Sequence, residues 1–467
     1  MQFLRKVIRF LGRFLKYSLI CVFILLIAFF IAIQTSTFQT YLGKQASSWL
    51  SKELNTTISI DQVDIDFFNS VVLKGVYVED LKKDTLLYGA ELICKISDFS
   101  YSEYKLDLEE IQLNNMDANL IKYKGDSTYN YQFIADYFVP ADTIKDTTSS
   151  EFKISYGGLK LNNVDFAFID ENDTSTSKGI NFAKLKFTGV SGAFSDFMMN
   201  KDTIDIKIDN FTAREQSGFY LEKLNTIAHI SPLDIKLDSL YLKTNKTLLK
   251  GRYYMHTNSW ESYNDYINMV YMDADLKDSC YVSAADIAWF VPELYGNNNK
   301  ITISGKVRGT VNSLKGKNLY LAYGKNTAFK GDFNIEGLPD IENTYIHFDI
   351  KTLTASRSDL MTIQVPPFEK NKYLEIPSNI GKLGIIKFKG KIDGLINDIA
   401  AYGTLNTSIG TVITDIGISN LSDSKKTLAY HGRIKTHNLH LGTLLENQDI
   451  GVVSMNVKLS GKGVTLD

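Results

Sequence analysis

Residues 204–208 read Ile-Asp-Ile-Lys-Ile, with an apolar side chain at every second position and a charged one between. Because successive side chains of a β-strand point to opposite faces, this alternation predicts a strand with one buried and one solvated face. The same period of two recurs in five other segments: Val63, Ile65 and Phe67; Ile154 and Tyr156; Ile235 and Leu237; Ile346, Phe348 and Ile350; and Val457 and Leu459. The pattern predicts that most of the chain from residue 56 onwards is strand.

Short polar runs separate the predicted strands. Gly157-Gly158, Asn162-Asn163 and the three asparagines at 297–299 predict turns. Residues 140–151 and 171–178 are rich in small and polar residues, and we expect surface loops there.

One short helix is expected inside this body, at residues 286–294, with Asp286 as its capping residue. A weak repeat is also present, because Ser-Gly-Lys-Val-Arg-Gly at 304–309 resembles Lys-Gly-Lys-Ile-Asp-Gly at 389–394, and Ser-Gly-Lys-Gly at 460–463 begins in the same way. Glycine at such points permits a bulge or bend in a long sheet.

The order of elements limits the fold class. The strands do not alternate with long helical segments, which argues against a parallel α/β sheet. Two arrangements remain: several β-sandwiches in series, or one long antiparallel sheet that curls and shields its own apolar face. Both are mostly β.

The first 52 residues differ from the rest of the chain. They hold seven basic residues and no acidic one, which leaves 44 basic and 53 acidic residues in 53–467, a net charge of −9. Residues 17–34 are almost wholly apolar, and a span of this length is at the short end of what crosses a bilayer. Five basic residues precede it and predict a cytoplasmic N-terminus: Arg5, Lys6, Arg9, Arg13 and Lys16.

A cleaved signal peptide is the main alternative for this apolar segment. It would need small residues at the cleavage site, and Ile33 before Gln34 fits that requirement poorly. We therefore predict four segments: a cytoplasmic basic segment at 1–16, a transmembrane anchor at 17–34, an amphipathic helix at 35–54 and an elongated periplasmic β-groove at 55–467.

The helix predicted after the anchor has apolar residues at helical spacing. Ser36 or Thr37 is expected to cap it, and its apolar positions are Phe38, Tyr41, Leu42, Ala46, Trp49, Leu50 and Leu54. Two interpretations of this apolar face stay open: that it plugs the end of the following sheet, or that it lies along the membrane surface.

No pattern typical of catalysis is present. The chain lacks a nucleophile elbow, a phosphate loop and a zinc-protease motif. His431, His437 and His440 cluster, but strand alternation places His440 on the opposite face, and Cys94 and Cys280 are expected to be small core residues. The overall charge of −2 gives no basic excess for nucleic acid. We expect no enzyme activity, no cofactor, no metal and no nucleic-acid partner.

Several segments together resemble a known family. They are the basic flank and apolar span at 5–33, the helix end Trp-Leu-Ser-Lys-Glu-Leu at 49–54, the strands at 58–65 and 73–80, the segment 84–88, and the helix containing Asp286, Phe290, Pro292, Glu293 and Leu294. In these features the chain resembles the AsmA-like superfamily, and most closely the N-terminal portion of its TamB-type members.

This resemblance implies a location and a function. Such proteins are anchored in the inner membrane of Gram-negative bacteria by one transmembrane helix, and their periplasmic body is a long curled β-groove, or β-taco, with an apolar interior. The implied partners are phospholipid, the inner membrane, and an outer-membrane β-barrel reached through a C-terminal region that is not recognisable in this sequence. The implied function is phospholipid transport between the two membranes.

Acyl chains would then lie on the apolar strand positions. The expected floor consists of Val63, Ile65, Phe67, Ile204, Ile206, Ile208, Ile235, Leu237, Ile346, Phe348 and Ile350. Two other functions stay open: an assembly factor for outer-membrane proteins that acts by strand augmentation, and a structural envelope protein made of serial sandwiches.

Overall fold

The computed structural model describes residues 20–27, 30–66, 70–100, 105–138, 153–176, 178–200, 202–420 and 427–463. The helices are α1 (Ile20–Ile33, described at 20–27 and 30–33), α2 (Ser36–Glu53), α3 (Gln132–Phe138), α4 (Tyr266–Met269), α5 (Ala284–Ile287), α6 (Arg357–Leu360) and α7 (Leu441–Leu445). Four 3-10 turns accompany them: η1 (Trp260–Asp265), η2 (Pro292–Leu294), η3 (Phe368–Lys370) and η4 (Ser378–Leu383).

Strands make up most of the described chain. The first nine are β1 (Ile58–Ser59), β2 (Gln62–Asp66), β3 (Ser70–Glu79), β4 (Thr85–Ser100), β5 (Lys105–Lys122), β6 (Lys153–Tyr156), β7 (Gly158–Asp170), β8 (Lys184–Asn200) and β9 (Thr203–Glu215). The remaining ones are β10 (Tyr220–Ile230), β11 (Asp234–Thr244), β12 (Leu248–His256), β13 (Tyr271–Ser283), β14 (Lys300–Gly309), β15 (Ser313–Tyr323), β16 (Thr327–Glu336), β17 (Tyr345–Ala355), β18 (Ile386–Leu395), β19 (Asp398–Thr407), β20 (Gly410–Ser419), β21 (Ala429–His437), β22 (Leu439–His440), β23 (Val452–Val453) and β24 (Asn456–Lys462).

Twenty-two of these strands belong to one long sheet that is not closed, and β22 pairs with β23 in a separate small sheet. The prediction of a mostly β fold is therefore confirmed. Pairing is antiparallel almost throughout, except that β5 runs parallel to both β6 and β7. The turn predicted at Asn162-Asn163 is wrong, because both residues lie inside β7 and pair with β5.

The parallel pairing of β5 with β7 joins two similar sequences. Leu-Asn-Asn-Met-Asp at 113–117 lies in register with Leu-Asn-Asn-Val-Asp at 161–165. The Asn162 amide donates to the Asn114 side chain at 2.6 Å, and the Asn163 amide donates to that of Asn115 at 2.8 Å. This asparagine ladder fixes the register where strand alternation alone would allow a slip.

The chain divides into two compact units. The first contains Met1–Ser175, Phe182–Phe197 and Ala213–Gln216, and the second contains Thr176–Asn181, Met198–Thr212 and Ser217–Asp467. In the first unit, an apolar row crosses the paired strands β2, β3, β4, β5 and β7 through Val63, Leu73, Leu92, Leu113 and Leu161.

The second unit repeats a pattern of four strands with a helical insert before the fourth. The inserts α5 with η2, α6 with η3 and η4, and α7 precede β14, β18 and β24 respectively, and these three strands carry the glycine repeat seen in the sequence. The helix predicted at 286–294 is replaced by two short pieces. Ser283 is the N-cap of α5, so the expectation that Asp286 caps it is wrong.

Bulges lie at mid-strand in seven consecutive strand pairs of this unit, from β11–β12 to β17–β18. Large apolar residues alternate there with glycines, in the order Leu240, Gly251, Leu276, Gly305, Leu319, Gly331, Ile350 and Gly390. A Cβ added to Gly251, whose φ is +136°, would lie 2.0 Å from the Asp275 carbonyl oxygen. Bulges bend strands locally, and these bulges lie at the same level of successive strands. Leu319, a member of this line, is only 1% exposed.

Helix α2 runs along the edge formed by β1 and β2. Its N-cap is Thr35, so the caps predicted at Ser36 or Thr37 lie one or two residues too late. Gln39 and Ser47 are its buried side chains, whereas Tyr41, Leu42 and Trp49 are exposed. The helix does close the sheet edge, mainly through the polar side chains Gln39, Thr40 and Ser51. The predicted apolar positions are divided: Leu54 is buried, Phe38 and Leu50 are half-buried, and Tyr41, Leu42, Ala46 and Trp49 are exposed.

The predicted anchor is only partly within the described chain. Among the described residues, no single helix is long and apolar enough to cross a membrane. The helix at 20–33 reaches the required length and hydropathy only when it is joined with the helix at 36–53, and the axes of these two helices are bent by 71°. Arg5, Lys6, Arg9, Arg13 and Lys16 lie outside the described residues, as do Phe67 and the loop predicted at 140–151. The segment 171–178 is predicted to be a loop, and its described residues, 171–176 and 178, form turns and irregular backbone.

Candidate functional site

One face of the second unit, called the inner face here, has two uninterrupted rows of side chains. Each row takes one residue from every strand of the sheet between β10 and β24, and consecutive members are direct cross-strand partners, so they share a face. The first row is Ile230, Ile235, Met255, Met272, Gly309, Leu314, Ile335, Ile346, Gly394, Ile399, Ile418, Tyr430 and Gly461. The second is Ala228, Leu237, Tyr253, Ala274, Val307, Gly316, Phe333, Phe348, Ile392, Ala401, Ile416, Gly432 and Leu459.

The structure brings the predicted floor residues of this unit onto that face. Ile235 and Ile346 are members of the first row, Leu237 and Phe348 are members of the second, and Ile350 lies on the line of bulges. The rows contain no charged side chain. At a strand spacing of about 4.8 Å, each row extends for roughly 60 Å along the sheet.

Ile204, Ile206 and Ile208 belong to the same face, as a contact of their neighbour shows. Asp205 lies 2.6 Å from Nδ1 of His229, and His229 alternates with Ala228 and Ile230 of the inner face. Asp205 is therefore on the outer face. Strand alternation then places the three isoleucines of β9 on the inner face.

Val63 and Ile65 have a different setting in the first unit. Val63 is buried, and its Cγ2 would lie 2.4 Å from a Cβ added to Gly43 of α2. The backbone of Ile65 bonds to the Gln39 side chain of the same helix. These two residues mark the strand that the helix covers.

Most of the inner face is only half-buried. From β18 to β24 the inner positions are mostly intermediate in exposure, while the outer positions between them are mostly exposed. A segment that covers part of the face is η1 with α4, where the Tyr266 hydroxyl lies 3.0 Å from that of Tyr253. Burial raises the pKa of Tyr253, so its hydroxyl stays protonated. Half-burial of a large apolar surface is typical of a face that binds something apolar.

Charged side chains occupy the opposite, outer face. Asp273 lies 3.1 Å from Nε of Arg308 and 3.7 Å from Arg252, and Lys306 lies 3.5 Å from Asp275. These cross-strand ion pairs are partly exposed and contribute little to stability. They do establish which face of the sheet meets water.

An apolar cleft of about 210 Å³ lies at the start of β14 and β16 and the end of β15 and β17. Ile301, Leu321, Phe329, Leu353 and Ile363 line it. The sequence does not reveal this site, because Ile363 comes from the long connection between β17 and β18, whose contacts no periodicity indicates. The signal available was the alternation in β15 and β16, where Leu321 and Phe329 are direct partners.

The residues around the cleft mouth are polar and bonded to each other. Gln364 N donates to the Asn299 side chain at 3.0 Å, and the Asn299 amide donates back to the Gln364 carbonyl at 3.0 Å. The Tyr323 hydroxyl lies 3.1 Å from that of Thr362. Of these residues, Asn299 and Tyr323 line the cleft, and the buried Gln364 holds Asn299 in place.

Two features of the described residues bear on metal binding and nucleophilic chemistry. Within them, no group of three or more His, Cys, Asp and Glu side chains could hold a metal ion. Cys280 packs in a cluster with Ala274 and Leu276, and burial raises the pKa of its thiol. A protonated, buried thiol is a poor nucleophile.

Comparison with models of known families, with characterised proteins and with solved structures finds no match to this chain.

Proposed function

We propose that the inner face holds the acyl chains of phospholipids, and that the protein carries phospholipid between the inner and outer membranes of a Gram-negative cell. The observation that supports this most is the pair of uncharged rows across thirteen consecutive strands of the sheet. A lipid could move along such rows without crossing a charged residue.

Hydrophobic burial supplies the binding energy in this proposal. Each methylene group removed from water contributes about 0.8 kcal/mol, and an acyl chain on the half-buried rows would also dehydrate the side chains beneath it. Moving along a uniform apolar surface changes this energy little, which favours passage. The aligned bulges support a concave inner face, because they bend neighbouring strands at the same level.

The proposed location rests on the N-terminal segment and on the resemblance to the AsmA-like superfamily. Residues 20–27 and 30–33 are helical, and exposed apolar side chains such as Phe23 and Leu25 have no packed core around them. We propose one transmembrane anchor with its N-terminus in the cytoplasm and the sheet in the periplasm. Asn299 and Tyr323, which line the cleft, would contact a headgroup there.

Strand augmentation is the second candidate, and one observation favours it. Among the described strands, β24 pairs on one side only, with β21. The other end of the sheet offers no such edge at Val63 and Ile65, because α2 bonds the backbone there. The single sheet of 22 strands favours either of these functions over serial sandwiches.

Photocrosslinking in the full-length protein tests lipid binding. A photoreactive amino acid at Phe333 or Ile392 of the inner face should yield phospholipid adducts in cells, detected by mass spectrometry. Matched positions on the outer face are Tyr402 and Ile413, which are exposed on neighbouring strands. Adducts confined to the inner face support the proposal. Equal labelling of both faces, or no inner-face adduct in a folded protein, would overturn it.

A further inference from the structure

Side chains of helix α2 form hydrogen bonds with the backbone of β2, where a further strand would pair through its own backbone. Gln39 accepts a hydrogen bond from Ile65 N at 2.6 Å and donates one to Ile65 O at 2.9 Å. Thr40 Oγ1 accepts from Val63 N at 3.0 Å and lies 3.3 Å from Val63 O. The backbone groups that a sheet edge leaves unpaired are therefore satisfied by the helix.

The same arrangement continues at the far end of the helix. Ser51 Oγ accepts from Ile58 N at 2.8 Å and donates to Ile58 O at 2.9 Å. Gly43 lies against the Val63 side chain between these two sites. One face of α2 is thus fixed against the sheet over its whole length, which determines what its other face presents.

The other face of α2 is aromatic and exposed. Tyr41, Leu42 and Trp49 are 58%, 50% and 56% exposed. Tyr41 lies opposite Gln39 and Trp49 lies opposite Ser47 around the helix, and Leu42, seven residues before Trp49, lies on the same side as Trp49. Lys44 and Lys52 flank this side and are exposed, and the exposed Glu53 lies near Leu42 and Trp49 at the end of the helix. An aromatic stripe with lysines beside it is typical of a helix in the interface between lipid and water.

The position of α2 in the chain identifies what covers the stripe. Apolar residues exposed in 20–27 and 30–33 come directly before it, and α1 is bent by 71° from α2. If α1 crosses a bilayer along its normal, α2 lies close to the membrane plane, with the stripe within reach of the headgroups. The lysines match the negative charge of phosphate headgroups.

We infer that α2 is a membrane-interface helix that seals the first sheet edge and seats it on the bilayer surface through Tyr41, Leu42 and Trp49. This deepens the proposed function and rests on its membrane anchor. It implies that the sheet starts at the lipid surface rather than at the end of a flexible tether.

Tryptophan fluorescence of the full-length protein in phosphatidylethanolamine–phosphatidylglycerol vesicles tests this inference. The signal of Trp49 is the difference between the wild type and Trp49→Phe, which leaves Trp260 and Trp289 unchanged. We expect a nitroxide lipid labelled near the headgroup to quench this difference signal at least twofold more than one labelled near the chain ends. Aqueous acrylamide should quench it weakly.

Three results would overturn the inference. Strong acrylamide quenching would place Trp49 in water, and stronger quenching by the deep label would place α2 in the hydrocarbon core. Protection from acrylamide without quenching by either lipid label would mean that protein, such as a second copy, covers the stripe. Inner-face photocrosslinking in the same vesicles separates this inference from lipid binding, since each measurement can fail alone.

Discussion

Asp80 is a buried carboxylate whose two oxygens accept four hydrogen bonds. Tyr123 Oη and Asn130 Nδ2 donate to Oδ2 at 2.6 and 3.0 Å, and the backbone N–H groups of Lys82 and Asp84 donate to Oδ1 at 2.8 and 3.1 Å. Burial acts to raise the pKa of Asp80, but these hydrogen bonds outweigh it, and the pKa lies below its usual range. The charged form therefore holds the β3–β4 turn to the end of β5.

Replacing this carboxylate should destabilise the first unit. In Asp80→Asn, the amide NH₂ would face donors, and we expect a loss of about 1–3 kcal/mol in the free energy of unfolding. Because the folded pKa is lowered, the charge stabilises the fold above the unfolded pKa, and this contribution is lost as pH falls through the folded pKa. As the pH is lowered through the acid range, the unfolding temperature of the full-length protein should fall less in the variant than in the wild type.

The control for this prediction is Asp126→Asn. Asp126 pairs with Lys82 at 2.8 Å but is 43% exposed, so its loss should cost less than about 1 kcal/mol. Equal effects of the two substitutions would show that burial and hydrogen bonding do not determine how much Asp80 contributes to the free energy of unfolding.

Residues such as Asp80 show where sequence-based inference stops. The partners Tyr123 and Asn130 follow it by 43 and 50 residues, so no local spacing connects them. By contrast, Ile346 and Phe348 could be predicted as inner-face residues because strand alternation is a local property. Alternation also predicts that Val63 lies on the apolar face of its strand, but only the structure shows that α2 covers it.

At the scale of elements, two short helices of the second unit fasten two hairpins in the same way. Ser283 caps α5, and Asp286 three residues later accepts hydrogen bonds from Thr244 and from Lys246 N in the β11–β12 turn. In α6, Ser356 is the cap and Asp359 accepts from Asn326 N at 2.6 Å in the β15–β16 turn. The spacing Ser-x-x-Asp thus recurs with the four-strand repeat.

Each aspartate should control its own hairpin only. Asp286→Ala should speed amide hydrogen exchange at 245–247 by about tenfold, corresponding to the loss of roughly 1.4 kcal/mol from charged hydrogen bonds, without affecting 325–327. Asp359→Ala should do the reverse. Each variant is the control for the other, and exchange that rises at both hairpins in either variant would contradict independent fastening.

The sequence indicated part of this pattern. The glycine repeat at 304–309 and 389–394 marks β14 and β18, the fourth strand of successive repeats. The role of Asp286 could not be predicted in the same way. An aspartate before an apolar run looks like a helix cap, whereas here Ser283 takes that position and Asp286 reaches a different hairpin.

At the scale of the molecule, period-two alternation predicts that strands dominate, but not how they are joined. Antiparallel order follows from short connections, and it holds for most neighbouring strands. The parallel pairing of β5 with β7 depends on a connection of several tens of residues, and the only local sequence feature that indicates it is the repeated Leu-Asn-Asn. The inner face could be predicted strand by strand, while its continuity depends on registers that only the structure supplies.

That continuity gives a prediction about charge on the two faces of the sheet. Ile392 is half-buried in the second inner row, and Ile413 is exposed on the outer face two strands away. Ile392→Arg puts a cation among acyl chains, and on insertion scales a charge in hydrocarbon costs roughly 2.5–3.5 kcal/mol, which is about a hundredfold in partition. Ile413→Arg puts the same cation in water.

We expect Ile392→Arg to abolish phospholipid crosslinking from a photoreactive residue at Ala401, its cross-strand partner, while Ile413→Arg leaves it unchanged. Because the inner face is only half-buried, the arginine can turn its guanidinium towards water, so the unfolding temperature should fall little in either variant. If the face were the core of a closed sandwich, Ile392→Arg would bury an unpaired charge and unfold the unit. Measuring the unfolding temperature and crosslinking in the same variants therefore distinguishes an open lipid-binding face from a dry core. Loss of both in Ile392→Arg would favour a structural role over transport.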